Sequence, residues 1–404
     1  MNSNNHYLLQ FESQRDTLKL KIHSIIKKDF SIDDQDTQSL LFDTINEITE
    51  NVISNLQKWI TSDIPEIYKK FVFDSIEKEN WTEIINAFYQ ELTFGTSGIR
   101  GKLTSSVTNI DTEKDLHSLY NNEFNSNILR GPNLFNEITL IKNISGLVNY
   151  MKKNNLSKIV IGYDSRVQSK SFSELITKIC LNHNFSVFLF NDVVPLPELS
   201  FAVTNLQADM GIEITASHND KRYNGYKLIT KSGSPPSIQI RNEISDEIFQ
   251  NTQINEFKFL NPQVELLSQN QGKLIYLVDK KSTSDNNQIS YIEFHKKYFE
   301  QIKNMIFNPN LITKYSSIIK LGYSGTHGTG YPLVSKLLSE LGFTNVKYIS
   351  QTIKPNYFFP SFSLTQMLDP SDHTSAEIIV KEFINQYGIN DFKNLDLLCF
   401  TDPD

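Results

Sequence analysis

Cysteine is nearly absent from this chain: Cys180 and Cys399 are the only two among 404 residues. That scarcity excludes a disulfide-framed secreted domain and a cysteine-rich zinc module. Both cysteines lie inside apolar runs, so both are expected to be small buried hydrophobes. Long hydrophobic runs are missing too, and no stretch approaches the roughly 18 apolar residues of a membrane-spanning helix. The opening MNSNNHYLLQFESQRD lacks the charged-then-apolar order of a signal peptide. Nor is there an excess of positive charge. Lys and Arg total 39 against 46 Asp and Glu, a net of −7, with a pI near 5.7, which argues against wrapping nucleic acid. The expectation is a soluble cytoplasmic protein with neither nucleic acid nor membrane as partner.

What is present suffices for packed cores: 39% of residues are hydrophobic, and the length suggests two or three domains. Leu41, Ile45, Ile48, Val52, Leu56 and Trp59 recur every three or four positions, the spacing of one helical face. A second helical stretch over Glu66–Leu92 carries Trp81, Ile84, Ile85 and Phe88. Residues 104–130 are polar and rich in Asn and Ser, and are expected to form an inserted surface loop.

Strands and helices then alternate. KIVIGY (158–163), SVFLF (186–190) and MGIEIT (210–215) read as strands, separated by helices over Phe172–His183 and Leu196–Leu206. This order predicts a mostly parallel sheet, with ligands at the carboxyl ends of its strands. SGSPPS (232–237) and STSDNNQ (282–288) read as turns or loops. A helix near Tyr291–Ile306 leads into a second αβ unit. That unit has strands at Ile318–Tyr323, Val346–Ile349 and Leu395–Phe400 and helices at Tyr331–Leu341 and Ser375–Tyr387. No internal sequence repeat is visible.

Several segments carry chemistry. FGTSGIRG (94–101) places Gly95, Gly98 and Gly101 beside Arg100, allowing close backbone approach to a ligand and a forked contact to phosphate; an ordinary glycine turn fits the same string. GYDSR (162–166) places Asp164 and Arg166 after a strand. Arg166 either faces an anion or belongs to a helix start capped by Asp164 or Ser165.

TASHNDKRYNGYKL (215–228) is the most informative segment. Ser217 and His218 are sequence neighbours without a GxSxG elbow, so this is not a hydrolase arrangement. A phosphorylated Ser217 would need cations close by, which Lys227, Arg100 and a metal on Asp402 and Asp404 would supply. GYSGTHGTG (322–330) puts His327 in a glycine-rich strand-to-helix turn, either near an anion or simply packed. The final LLCFTDPD (397–404) is a buried-looking strand followed by aspartates on alternate residues. That is a weak Mg²⁺ signal, equally met by an exposed turn.

Together, FYQELTFGTSGIRG, GYDSR, PLPELSFAV, TASHN with NGYK, THGTG and TDPD resemble the α-D-phosphohexomutase superfamily in order and spacing. Its phosphoglucomutase/phosphomannomutase and phosphopentomutase-like branch is the most similar. The resemblance implies an α/β fold of two consecutive αβ domains with mixed, mostly parallel sheets. These are residues 92–290 with the phosphoserine loop and residues 291–404, which stop within the metal loop, behind a helical N-terminal extension over 1–91.

It further implies that Ser217 is the phosphoserine, with His218 and Asn219 shaping its loop and Lys227 beside the transferred group. Arg100 and Arg166 would line the phosphoserine side, Thr96, Ser97 and His327 would contact substrate or phosphate, and Ser217, Asp402 and Asp404 would hold one Mg²⁺. The implied reaction interconverts glucose 1-phosphate and glucose 6-phosphate through a sugar 1,6-bisphosphate. The alternatives are phosphopentomutase or phosphomannomutase activity, or a non-catalytic sugar-phosphate-binding paralogue. Asp220 stands where the family usually has proline. The family's third metal-loop aspartate and its third and fourth domains have no counterpart, so an incomplete chain with little turnover by itself is expected.

Overall fold

The apolar stripe read between Leu41 and Trp59 does what a helical stripe must: Ile45, Val52, Leu56 and Trp59 are all buried. The structure, a computed structural model, describes residues 3–29, 35–95, 98–250, 273–278 and 288–404. Thr96, Ser97 and nearly all of the STSDNNQ cluster lie outside the described residues.

Helices α1 (Ser3–Asp29), α2 (Gln35–Thr61), α3 (Glu66–Glu77) and α4 (Trp81–Phe88) open the chain, followed by β1 (Gly98–Lys102), α5 (Asn109–Asn122) and α6 (Glu137–Lys153). Next come β2 (Lys158–Tyr163), α7 (Ser169–Asn182), β3 (Ser186–Phe190), α8 (Leu196–Asn205), β4 (Met210–Ile214), β5 (Tyr223–Thr230) and α9 (Ile238–Gln250). After these stand β6 (Lys273–Val278), β7 (Gln288–Ser290), α10 (Tyr291–Asn304) and α11 (Pro309–Tyr315). The chain continues through β8 (Leu321–Ser324), α12 (Gly330–Glu340), β9 (Val346–Tyr348), α13 (His373–Tyr387), α14 (Ile389–Lys393) and β10 (Leu397–Phe400). It divides into two compact units, residues 1–150 with 238–265, and residues 151–237 with 266–404.

The first unit is mainly helical. Phe11, Leu18, Ile22 and Ile26 of α1 share one core with α2, α3 and α4 and with Leu129, Leu134 and Ile138. Within it Trp59 meets Phe88 edge-on at 5.9 Å. The segment 104–130, expected to be a surface loop, contains α5 instead. Thr108 caps it by accepting from the Asp111 amide at 3.1 Å, an N-cap interaction of the ordinary kind. Ser106 Oγ donates to Asp115 at 2.6 Å, and Leu116 and Leu119 are buried. The buried stripe is narrow, and the rest of the helix is polar, which hid its period.

The same segment ends in a buried ion pair. Arg130 Nε lies 3.2 Å from Glu137 Oε1, with the side chains 2% and 1% exposed. Tyr68 OH donates to that same oxygen at 2.6 Å.

The second unit holds two sheets. In the larger, the strand order is β5-β4-β2-β3-β6-β7. Every pairing among these is parallel except β4 with β5, which is antiparallel. The smaller sheet runs β10-β8-β9, all parallel. The architecture is therefore the expected α/β one, with mixed, mostly parallel sheets. Val160, Phe188, Phe190, Leu199 and Leu277 belong to one core, and Ile349, Phe359, Phe362, Ile379 and Phe383 to another.

The expectation of a buried C-terminal strand changes here. β10 is a strand but not a buried one: Leu397 is 54% exposed, and Cys399 is exposed while Cys180 is buried. The reason is position, since β10 pairs only with β8 and leaves its other edge open among the described residues. The string 223–230, to which the sequence reading assigns no element, is strand β5. Its register sets Lys227 opposite Glu213 and Tyr226 opposite Ile214. No helix among the described residues is long and apolar enough to cross a membrane.

Candidate active site

Ser217 sits in the turn between β4 and β5. Its backbone is left-handed at φ 53°, a conformation that a non-glycine residue keeps only when its surroundings enforce it. The enforcement is visible. The Ser217 amide donates to Thr215 Oγ1 at 2.8 Å. The Thr215 amide donates to the Gly225 carbonyl at 3.0 Å, and the Asn219 amide to the Ala216 carbonyl at 3.1 Å.

Below the turn lies Arg166, 1% exposed. Its Nη1 donates to the carbonyls of Asp220 (2.8 Å) and Tyr223 (2.9 Å). Its Nη2 donates to the carbonyls of Ser217 (2.6 Å) and Asn219. The guanidinium is thus spent on the loop's backbone, stacks 5.4 Å from the Phe359 ring, and is not open to a ligand.

Asp164 anchors the arginine. Its Oδ1 accepts from the Arg166 amide at 2.9 Å and from Ser169 Oγ at 2.7 Å, and its Oδ2 lies 3.3 Å from Arg166 Nε. Burial raises the Asp164 pKa, opposed by the charge of Arg166.

The two terminal aspartates meet this loop. Ser217 Oγ donates to Asp402 Oδ2 at 2.9 Å. Lys227 Nζ donates to Ser217 Oγ at 3.2 Å and lies 2.6 Å from Asp404 Oδ2. Thr215 Oγ1 donates to the same Asp404 oxygen at 2.8 Å. Burial, and then the neighbouring charge of Asp404, pushes the Asp402 carboxyl up to about 6. Its Oδ1 is buried without a hydrogen-bond partner.

A hard cation prefers such oxygens, so the serine oxygen and two carboxylates fit a divalent ion by chemistry. Among the described residues no group of three or more His, Cys, Asp or Glu could hold a metal. Asp402, Asp404 and Ser217 are the residues whose oxygens would hold such an ion.

His218 lies between Asp402 (Nδ1 to Oδ2, 3.7 Å) and Asp369 (Nε2 to Oδ2, 4.0 Å), and its carbonyl accepts from the Leu368 amide at 2.8 Å. His327 has a different neighbourhood. It is 1% exposed, its Nε2 is 3.0 Å from Ser361 Oγ, and the rings of Phe359 and Phe362 stand edge-on to it. Burial, with a smaller push from Lys221, lowers its pKa to about 4, so it is neutral at pH 7. Its carbonyl accepts from Ser165 Oγ at 2.9 Å.

The turn holding His327 instead grips the aspartate loop. Thr326 Oγ1 donates to the Thr401 carbonyl at 2.7 Å, and the Thr329 amide to the Pro403 carbonyl at 2.9 Å. A Cβ on Gly328 would lie 2.3 Å from Pro403 Cα, so only glycine lets the two backbones meet there.

Arg100 is exposed on β1 of the first unit. The second unit thus brings together Ser217, His218, Lys227, Asp402 and Asp404, with Asn219 and Arg166 as the frame of the loop. Two contributors escaped the sequence reading. Glu213 is fully buried with neither carboxyl oxygen hydrogen-bonded. Its pKa is raised well above the ordinary value by burial and then by Asp404. The signal was a lone carboxylate inside MGIEIT, two positions before Thr215 and hence on the same strand face. Asp369 had no signal, because its proximity to His218 depends on packing between distant segments.

Known proteins resemble this chain in sequence and in fold. The family model of the phosphoglucomutase/phosphomannomutase alpha/beta/alpha domain I matches residues 121–255. A phosphoglucomutase of Staphylococcus aureus (strain bovine RF122 / ET3-1) is 30% identical over 350 residues, covering 86% of this chain and 52% of that protein. The phosphoglucomutase of strain USA300 matches equally. The chain spans about half the length of the curated relatives it matches. Among solved structures, parafusin (phosphoglucomutase) from Paramecium in its open form shares the fold, with a TM-score of 0.50 at 15% identity, covering 78% of this chain and 52% of that one. The chain belongs to the α-D-phosphohexomutase superfamily.

Proposed function

We propose that this chain carries the phosphoserine centre of a phosphoglucomutase-type enzyme interconverting glucose 1-phosphate and glucose 6-phosphate. One observation carries the reading. Ser217 Oγ is held between the Asp402 carboxylate at 2.9 Å and the Lys227 ammonium at 3.2 Å, on a loop whose backbone is clamped from below.

On this reading residues 92–290 are the first domain of the family, 291–404 the second as far as its metal loop, and 1–91 a helical extension. Phosphoserine 217 yields its phosphoryl group to a sugar hydroxyl. The P–Oγ bond breaks, a P–O bond to the sugar forms, and the hydroxyl proton leaves to a base. The resulting sugar 1,6-bisphosphate then returns its other phosphoryl group to Oγ.

Lys227 donates to Oγ as negative charge develops there, which favours departure of the phosphoryl group. Thr215 and Lys227 fix Asp404, and His218 lies against Asp402. A Mg²⁺ held by Asp402, Asp404 and the Ser217 oxygen would neutralise charge on the transferring group.

The second reading, a non-catalytic sugar-phosphate-binding paralogue, is motivated by Asp220. Phosphomannomutase and phosphopentomutase specificities share the same serine chemistry.

The test is intact and peptide mass spectrometry of the full chain after incubation with glucose 1,6-bisphosphate and Mg²⁺. The expected result is one phosphoryl group on Ser217, none in Ser217→Ala, and glucose 6-phosphate formation that depends on Ser217. No uptake by the wild type, or unchanged uptake by Ser217→Ala, overturns the reading.

A further inference from the structure

We propose that Asp220 and Arg222 form a positioning clasp for the serine loop, one that also cancels a negative charge next to the phosphorylation site. The inference rests on the reading of Ser217 as the phosphorylated residue. Asp220 is 3% exposed, and its carboxylate takes three donors from one residue. The Arg222 amide and Nε reach Oδ1 at 3.0 and 2.9 Å, and Arg222 Nη2 reaches Oδ2 at 2.8 Å. The Asp220 carbonyl accepts from the Tyr223 amide at 3.1 Å and from Arg166 Nη1 at 2.8 Å. Both ends of the residue are therefore fixed, the side chain by Arg222 and the backbone by Arg166. A bidentate guanidinium–carboxylate pair is the strongest and most directional contact available here.

The clasp adds a side-chain tie to a segment that Arg166 holds only through backbone carbonyls. Arg166 holds carbonyls on both flanks of the turn, while Ser217 sits in a left-handed backbone that relaxes if its flank loosens. Lys221, between the paired residues, donates to the Phe358 carbonyl at 3.0 Å, so its own ammonium is directed elsewhere. A carboxylate three residues from a phosphoserine would oppose the incoming phosphoryl group. Arg222, whose side chain is 23% exposed, answers that charge in place. Loss of Arg222 leaves Asp220 buried and unpaired, the costly way to break an ion pair. Loss of Asp220 alone leaves a half-open arginine that can turn to water. The two substitutions are therefore predicted to be unequal and non-additive.

The experiment compares wild type, Asp220→Asn, Arg222→Gln and the double variant in the full chain. Two readouts are taken: the rate of phosphoryl uptake on Ser217 from glucose 1,6-bisphosphate with Mg²⁺, and hydrogen exchange of the amides in 216–223. Melting curves check that each variant folds. Arg222→Gln is expected to slow uptake at least about tenfold and to speed exchange in the loop, whereas Asp220→Asn costs roughly twofold to threefold. The double variant is expected to outperform Arg222→Gln, because the unpaired carboxylate is gone. A merely structural loss would instead make the double variant the worst. Uptake by Arg222→Gln equal to wild type, or a double variant no better than Arg222→Gln, overturns the clasp. If wild type takes up no phosphoryl group, the reading of Ser217 falls. The exchange arm then still decides whether the pair holds the loop.

Discussion

Ser217 shows what a single residue owes to its neighbours. A serine in a polar loop is unremarkable by composition, yet here its hydroxyl is shared by a carboxylate and an ammonium and its backbone is left-handed. His327 teaches the opposite. A histidine in a glycine-rich turn invites a substrate role, but this one is buried against aromatic rings and kept neutral. That has a pH consequence. A base whose folded-state pKa is depressed, here from 6.5 to about 4, contributes stability above the unfolded value. The contribution is lost as pH falls through that window, because the unfolded chain takes up the proton first. Between pH 7 and pH 4 this group should cost wild type on the order of 2–3 kcal/mol. Urea unfolding of His327→Gln should show a correspondingly shallower fall with pH, and parallel curves would count against the assignment.

Turns and strands, more than individual side chains, assemble the site. The β4–β5 pair was only half visible in the sequence. MGIEIT has the β-branched, bounded character of a strand, whereas YNGYKLIT, with Asn and Gly near its start, received no element from sequence. Once paired, β5 carries Lys227 into place opposite Glu213. The GTHGTG turn does comparable work for the aspartate loop, through the Thr326 and Thr329 contacts and the close pass at Gly328. Gly328→Ala puts a methyl group into the Pro403 backbone, a clash no rotamer relieves. It is expected to displace Asp402 and Asp404 and slow phosphoryl uptake on Ser217 at least about tenfold, with a stability loss of roughly 1–3 kcal/mol. Near-wild-type uptake would show that the loop does not need that approach.

For the molecule as a whole, charge and cation binding are the relevant quantities. A formal net charge of −7 lowers the cost of bringing a divalent cation to the partly buried carboxylates of Asp402 and Asp404. Any ligand that binds only the folded state raises its melting temperature by mass action. Mg²⁺ is therefore expected to raise the melting temperature of wild type in a concentration-dependent way, EDTA to reverse the shift, and Asp402→Asn to remove most of it. An equal Mg²⁺ shift in Asp402→Asn would place the cation elsewhere. The division into two compact units lets the effect be assigned. Ser217, Asp402 and Asp404 all belong to the second unit, so protection from hydrogen exchange should concentrate there.

Local chemistry alone determined much of this protein. Periodicity marked the helices over 36–91, short apolar runs bounded by turn residues marked β2, β3, β4 and β8, and the TASHN string singled out Ser217. These features depend on residues close in sequence, whose spacing directly reports which face is buried. Tertiary structure decided the rest. It turned the 104–130 segment into a capped helix and a buried Arg130–Glu137 pair, exposed Cys399 on an open edge, and committed Arg166 to backbone carbonyls. It also brought Asp402 and Asp404 to a serine some 185 positions away in the chain. Contacts across that separation arise from strand pairing and loop packing, so no local spacing encodes them. The clasp of Asp220 by Arg222 is an instructive middle case: the two residues are near neighbours, yet their pairing became legible only when the turn between them was seen.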